Sequence, residues 1–493
     1  MLSGELDRLV ELLDQHPGSS SIELRDALRR DGLSSITTAD VERTLRSAGR
    51  RFASVDQRVR TAPMLPELYA WQHAALAAWR ASAYRGVIEA VTGAGKTVVG
   101  LAAAAEELVR RGQVAVIVPT RELLGQWAAL LEPILPPGVS MGLLGDGSRH
   151  GLADRDLVVA VVNSARDADL YPRRPGGLLI ADECHRYGSE RNRLVLQDRF
   201  PRRLGLSATF ARPDDAHETL LRPYLGSVCY RLGYSAARAE GVIAPFDVTL
   251  VSVEFTDDER VLYDDLTHQM SKAQAELMAR GLIPEDSNGA LLAVISTLAR
   301  GDDAAAVVAR LYLRAMQERR RLMDDASAKR DAMSEIALAV RSATRTIVFT
   351  QSIEAAEGAA SLLQRHGLRA AALHSGLARP MRLATMQSFR VGELEVITAP
   401  QVLDEGVDVP EADLAVVLGA SRSRRQMVQR MGRVLRLKPD SRRARFVIVS
   451  VRDTIEDPLR SAHAAFLDEV IPVARSLRSV SLGETPLAPL LAP

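Results

Sequence analysis

Two cysteines, Cys184 and Cys229, are all that the 493 residues contain. Two thiols alone cannot build a disulfide framework or a four-ligand zinc site, so neither a stapled secreted scaffold nor a zinc module is expected, and a reducing compartment fits. Net charge is lacking as well: 63 Lys and Arg stand against 62 Asp and Glu, leaving +1, so the whole-chain balance makes no case for a polyanionic ligand. No run approaches the roughly 18 apolar residues that a membrane span requires. The stretch from Met1 to Gly18 is acidic and amphipathic, without the basic start and long apolar core of an export signal. These absences set the expectation of a cytoplasmic protein with no membrane association.

What is present reads as several folded units. Hydrophobic residues make up 47% and charged residues 25%, ordinary for a globular chain, and the length exceeds a prior of about 150 residues per domain roughly threefold. Residues 1–60 combine helical spacing (Leu6, Leu9, Val10, Leu13; then Ile22, Leu24, Ala27, Leu28; then Val41, Leu45) with an alternating stretch from Arg51 to Val59. This resembles a winged helix. Basic and acidic residues balance within it, so DNA reading, protein docking and plain packing all stay open for the segment.

From residue 61 short apolar runs alternate with helical stretches: 114–118, 157–162, 178–182 and 205–209, then 346–350, 370–374, 394–398, 413–418 and 445–451. Such runs suit strands buried on both faces, and two sets of them imply two doubly wound parallel sheets in tandem. The expected division is a first α/β domain over 61–239, a second over 240–475 carrying a helical insertion at 257–340, and a loose tail over 476–493.

Three clusters carry chemistry. The first is Thr92-Gly93-Ala94-Gly95-Lys96-Thr97, between the apolar Gly86–Ile88 and a helical run. Phosphates require a tight loop of converging amides, which the two glycines permit; Lys96 is then expected on the β- and γ-phosphates of ATP and Thr97 on Mg2+. The second is Asp182-Glu183-Cys184-His185, closing an apolar run. Asp182 is the expected magnesium carboxylate, and Glu183 the group that orients and deprotonates the attacking water. The third is the basic stretch around Gln429, Arg433 and Arg436. Its two arginines, three residues apart, share a helical face and can both reach the charge developing on a transferred phosphoryl group.

At this point residues 65–458 resemble superfamily 2 helicases, with a DEAH-type signature written DECH and an XPB-like, Ssl2-type character in 240–251, 402–410 and 421–436. The resemblance implies RecA-like domains and assigns further residues. Gln72 reads adenine, with Tyr69 where the family usually has Arg. Gly406 and Asp408 face nucleotide and partner domain, and Gln429 marks the translocating branch. His185 and Ser207-Ala208-Thr209 couple ATP state to domain closure. Pro119, Thr120, Arg121, Asn163, Ser164, Thr350, Gln351, His374, Ser375 and Thr398 contact nucleic acid. Arg212-Pro213-Asp214 keeps the two ends of an Arg-Glu-Asp element tied to duplex opening but not its Glu. The expectation is an ATP-dependent helicase or translocase on DNA, tracking 3′ to 5′, with residues 1–60 open to a protein partner. An RNA remodelling ATPase and a nucleotide-switched DNA-binding scaffold are the rivals.

Overall fold

The computed structural model describes residues 21–30, 36–47, 65–136, 138–212, 214–283, 291–400, 412–419, 434–435, 442–457, 470–484, 486–487 and 491. In the N-terminal segment the helices Ser21–Arg30 and Thr38–Ser47 pack through Leu24, Leu28, Ile36 and Val41, all buried. The expected first helix at Leu6–Leu13 and the wing at Arg51–Val59 lie outside the described residues.

The first sheet comprises β1 (Arg85–Ala90), β2 (Val114–Val118), β3 (Met141–Gly145), β4 (Ser148–Arg149), β5 (Leu157–Val161), β6 (Leu178–Asp182), β7 (Arg202–Ser207) and β8 (Val228–Leu232). Their order across the sheet is β4-β3-β5-β2-β6-β7-β1-β8, parallel throughout except for the short hairpin return of β4 on β3. Every residue of β2, β5 and β6 is buried, as continuous apolar runs require when helices cover both faces.

The second sheet comprises β9 (Phe246–Val253), β10 (Thr346–Thr350), β11 (Ala370–Ala372), β12 (Val396–Pro400), β13 (Leu414–Leu418), β14 (Ala444–Val451) and β15 (Ser476–Ser481), in the order β11-β12-β10-β13-β14-β9-β15, all parallel. Two α/β domains with parallel sheets therefore stand in tandem, as expected. Residues 476–481 differ from the expected tail: as β15 they pair with β9 from Asp247 to Ser252 and close the sheet edge. Their alternation of Ser and Arg with Leu477 and Val480 has too few apolar positions to announce a strand, and backbone pairing supplies what side chains do not.

The helical insertion is present, with a nearer boundary than expected. Leu266, Met270, Ala273 and Leu277 lie on one face of the helix Asp257–Ala279 and meet Val308, Ala309, Tyr312 and Ala315 of the helix Ala304–Asp324 in a separate small core. Thr256 starts this unit with a capping box, its hydroxyl accepting the Glu259 amide and the Glu259 carboxylate accepting the Thr256 amide. The helix Ser327–Val340, expected in the insertion, instead packs Met333, Ile336, Ala337 and Val340 onto the second sheet beside Val251 and Val449. Alanine-rich helices look alike in sequence, and only packing separates the two roles.

Candidate active site and nucleic-acid groove

Strand register assembles the first site. Glu89 of β1 stands opposite Ser207 of β7, and Leu206 of β7 opposite Asp182 of β6, so three adjacent strands end together with the phosphate loop, the Ser-Ala-Thr element and the Asp-Glu pair at their carboxyl ends. Ligands of open α/β sheets bind at such an edge. Gly93 and Gly95 adopt φ of 87° and 90°, left-handed values that side chains disfavour, and the helix Lys96–Val109 begins directly after. Lys96 Nζ donates to the carbonyls of Ala90 at 2.8 Å and Val91 at 3.4 Å, curled over the loop.

Gln72 sits behind this loop, 1% exposed. Its Oε1 accepts the Tyr69 amide at 2.9 Å and its Nε2 donates to the Gly95 carbonyl at 3.1 Å. A Cβ at position 95 would come within 3.0 Å of that nitrogen, so the glycine serves both the loop's conformation and the closeness of Gln72. Gln72 thus links the start of the helix Ala70–Ala81 to the phosphate loop, while Tyr69 is exposed beside it.

On the opposite side, Asp182 is 5% exposed and both carboxylate oxygens are engaged. Oδ1 accepts the Glu183 amide at 3.0 Å, and Oδ2 accepts the Trp127 indole N–H at 2.7 Å. Glu183 has φ 47° and ψ 49°, a left-handed conformation for a residue with a full side chain. Such strain concentrates at functional sites because the surroundings must enforce it. His185 Nδ1 lies 3.5 Å from the Glu183 carboxylate and 3.0 Å from the Ser207 hydroxyl, which in turn donates to the Thr209 carbonyl at 2.9 Å. Burial, with the Glu183 and Asp182 carboxylates nearby, pushes the Cys184 thiol well above its usual range and keeps it protonated.

Arg212 and Asp214 turn back onto this network. The Arg212 guanidinium donates to the His185 carbonyl at 2.5 Å and to Asp214 at 2.8 and 2.5 Å, and that pairing draws the Asp214 carboxyl down to about 2. Pro213 between them lies outside the described residues. So do Gly406, Asp408, Gln429, Arg433 and Arg436. The described pair that follows Arg433, Val434 and Leu435, is fully buried, and the Leu435 carbonyl accepts the Ala244 amide at 2.8 Å.

The second site is a groove of about 1380 Å³ between the two domains. Pro119, Thr120, Gln126 and Leu130 form one wall; Gln351, His374 and Ser375 belong to the other, with Arg379, Arg382 and Arg390 from the helix Arg379–Val391. Five of the ten expected nucleic-acid residues thus meet in one groove. Arg121 stands at its rim, 3.3 Å from Asp146 at the β3–β4 turn, and Arg379 of the second domain reaches the same carboxylate at 3.5 Å. Asn163 and Ser164 sit outside the groove lining, with Asn163 exposed and accepting from Arg166 at 2.8 Å.

Thr350 and Thr398 depart from expectation. Both are fully buried, with hydroxyls donating inward to the Ser352 carbonyl at 3.1 Å and the Ala356 carbonyl at 2.7 Å. Thr350 is the last residue of β10 and Thr398 the middle residue of β12, and at both positions the side chain turns into the domain, whereas the next residue after β10, Gln351, reaches the groove. Sequence reasoning does not single out Arg379, Arg382, Arg390, Asp146 or the bond from Trp127 to Asp182; for the three arginines, their i, i+3, i+11 spacing on one helix is the signal that could find them.

Among the described residues no helix is long and apolar enough to cross a membrane, and no three His, Cys, Asp or Glu residues gather as a metal-binding group.

Comparison with known proteins agrees with this architecture. A family model described as the res subunit of type III restriction enzymes matches residues 65–212, and one described as the helicase conserved C-terminal domain matches residues 328–438. The DNA 3′-5′ translocase XPB2 of Sulfurisphaera tokodaii is 32% identical over 378 residues, covering 76% of this chain and 79% of that protein. The DNA 3′-5′ helicase XPB of Mycobacterium tuberculosis is 27% identical over 395 residues, covering 78% of this chain and 61% of that protein. A solved structure of S. cerevisiae Dbp5 bound to RNA and ADP BeF3 superposes with a TM-score of 0.53 at 14% identity, covering 86% of this chain and 93% of its own, which speaks to the fold alone. Two RecA-like domains, the helicase family matches and the extent of identity to the translocase XPB2 together place the chain in the XPB-like family of superfamily 2 helicases.

Proposed function

We propose that the chain is an ATP-driven translocase and helicase acting on DNA and tracking 3′ to 5′. The single observation that carries the reading is the alignment of phosphate loop, Asp-Glu pair and Ser-Ala-Thr element on three adjacent strand ends, beside a basic groove shared by both domains. The residues fit ATP and Mg2+. Two left-handed glycines open the amide cradle, and a nearly buried carboxylate and Thr97 are the one or two protein ligands that Mg2+ takes when phosphates supply the rest. When bound, Mg2+ neutralises charge on the β- and γ-phosphates.

The loop Thr92 to Thr97 binds the triphosphate, with Lys96 leaving its carbonyl contacts for the phosphates. Glu183, held in its left-handed turn, orients a water and accepts its proton. Gln429, Arg433 and Arg436 complete the site from the second domain, with Gly406 and Asp408 beside the nucleotide. Gln72 and Tyr69 hold the base. We read DECH as a variant of the DEAH-type signature, in which His185 passes the nucleotide state to Ser207, Ala208 and Thr209. Thr120, Arg121, Gln351, His374 and Ser375 grip successive phosphates, with Pro119 shaping the wall beside them, so affinity falls with salt and depends little on base sequence. Asn163 and Ser164 extend that path. Residues 1–60 select substrate or a protein partner, and the chain works in the cytoplasm.

The test is ATP turnover against single-stranded DNA, duplex, forked DNA and RNA, with strand separation followed in parallel. Greater stimulation by DNA is expected. Stimulation by RNA above DNA would make the chain an RNA remodelling enzyme instead.

A further inference from the structure

The helix Arg121–Leu131 has two working sides. Along one, Thr120, Glu122, Gly125, Gln126, Ala129 and Leu130 line the groove. On the other, Trp127 is fully buried, and its indole N–H reaches the Asp182 carboxylate at 2.7 Å, across 55 residues of sequence. The ring also wedges against the phosphate-loop helix: a Cβ at Gly100 would lie 2.5 Å from Trp127 Cη2, so that helix can approach only because position 100 is glycine. A buried hydrogen bond to a carboxylate is short, directional and lost with small displacements.

We propose that Trp127 is a positioning residue that carries nucleic-acid occupancy of the groove to the Asp182 carboxylate. The helix is only three turns long and capped by Thr120, whose hydroxyl accepts the Leu123 amide at 3.3 Å, so it moves as one body. A strand pressing on its groove side shifts Trp127 against Asp182, and the indole holds Oδ2 while leaving the carboxylate's remaining lone pairs for the metal. Bound nucleic acid thereby sets the carboxylate in its hydrolytic orientation. This rests on reading Asp182 as the metal carboxylate and the groove as the nucleic-acid path.

The test is Trp127→Phe in the full chain, which keeps an aromatic ring in the core but deletes the donor. Stimulation of ATP turnover by a thymidine oligonucleotide is expected to fall about tenfold, the scale of a typical coupling free energy, with a raised Mg2+ midpoint and an unchanged KM for ATP. Stimulation and Mg2+ midpoint within twofold of the parent would overturn the proposal. A wild-type chain whose turnover ignores every nucleic acid would instead defeat the functional reading beneath it. A second measurement needs neither turnover nor the Phe variant. The chain has three tryptophans, so the indole N–H resonance of Trp127 can be assigned with Trp71→Phe and Trp79→Phe. The oligonucleotide alone, without nucleotide, is expected to shift that resonance, and a signal unmoved at saturation contradicts the proposal.

Discussion

His185 and Ser207 meet at 3.0 Å inside the first domain, imidazole Nδ1 against hydroxyl, and join the end of β6 to the end of β7. Both side chains are buried, so the contact is shielded from solvent and is sensitive to displacement of either strand end. Ser207 also accepts the Thr209 amide at 3.1 Å, which folds the Ser-Ala-Thr element back onto the Asp-Glu pair.

Replacing Ser207 with Ala removes this link without opening space for water. ATP turnover is expected to stay within a few-fold of the parent, while translocation or strand separation per ATP falls by about tenfold, a coupling loss of typical size. Parallel turnover and displacement assays check it; equal losses in both would make the hydroxyl a packing feature.

Asp146 places a negative charge between Arg121 and Arg379 at the groove rim. All three side chains are substantially exposed, so the ion pairs contribute little to stability, and their weight falls on any anion that competes for the guanidinium groups. Asp146→Ala is expected to tighten oligonucleotide binding about threefold to tenfold at low salt, with the gain fading as salt screens the groove. Fluorescence anisotropy across a salt series is the measurement, and an unchanged or weaker affinity at low salt would count against the groove as the phosphate path.

Asp324 ends the long helix of the insertion beside the buried pair Lys329–Glu456, whose charged atoms are 2.7 Å apart. Burial pushes the Asp324 carboxyl from 3.8 up to about 7, with Lys329 pulling it back and Glu456 pushing it further. The folded state therefore holds this proton more tightly than the unfolded chain. Its stabilising contribution is complete below about pH 4 and is lost as pH rises through about 7. Asp324→Asn, which cannot ionise, is expected to flatten that part of the stability profile and to melt higher than the parent at about pH 8. Thermal melts at several pH values would decide, and identical pH dependence in both proteins would refute it.

Much of the fold is legible in the amino-acid sequence, for a physical reason. Buried parallel strands must be continuous apolar runs, and 114–118, 178–182 and 346–350 coincide with β2, β6 and β10. The loop is equally legible, since φ values near 90° strongly favour glycine. The roles of Trp127 and Asp146 are not, because their partners come from distant parts of the chain and no local pattern encodes a contact across 55 or 233 residues. Thr350 and Thr398 mislead for the opposite reason. A threonine in or at the end of a strand looks the same in sequence whether its hydroxyl faces a ligand or a neighbouring carbonyl. Glu183 is the intermediate case: its acidity points to chemistry, but the left-handed turn that aims it is a property of the folded strand end.

Hydrolysis of ATP by Glu183 at the end of β6 is what would drive motion on DNA. The most direct measurement is steady-state ATP turnover of Glu183→Gln beside the parent, each with and without DNA, together with nucleotide affinity. DNA-stimulated turnover is expected in the parent and a loss of about 10² to 10⁴ in the variant, the contribution of a positioned general base, with nucleotide binding retained. Turnover in Glu183→Gln equal to the parent's would contradict it.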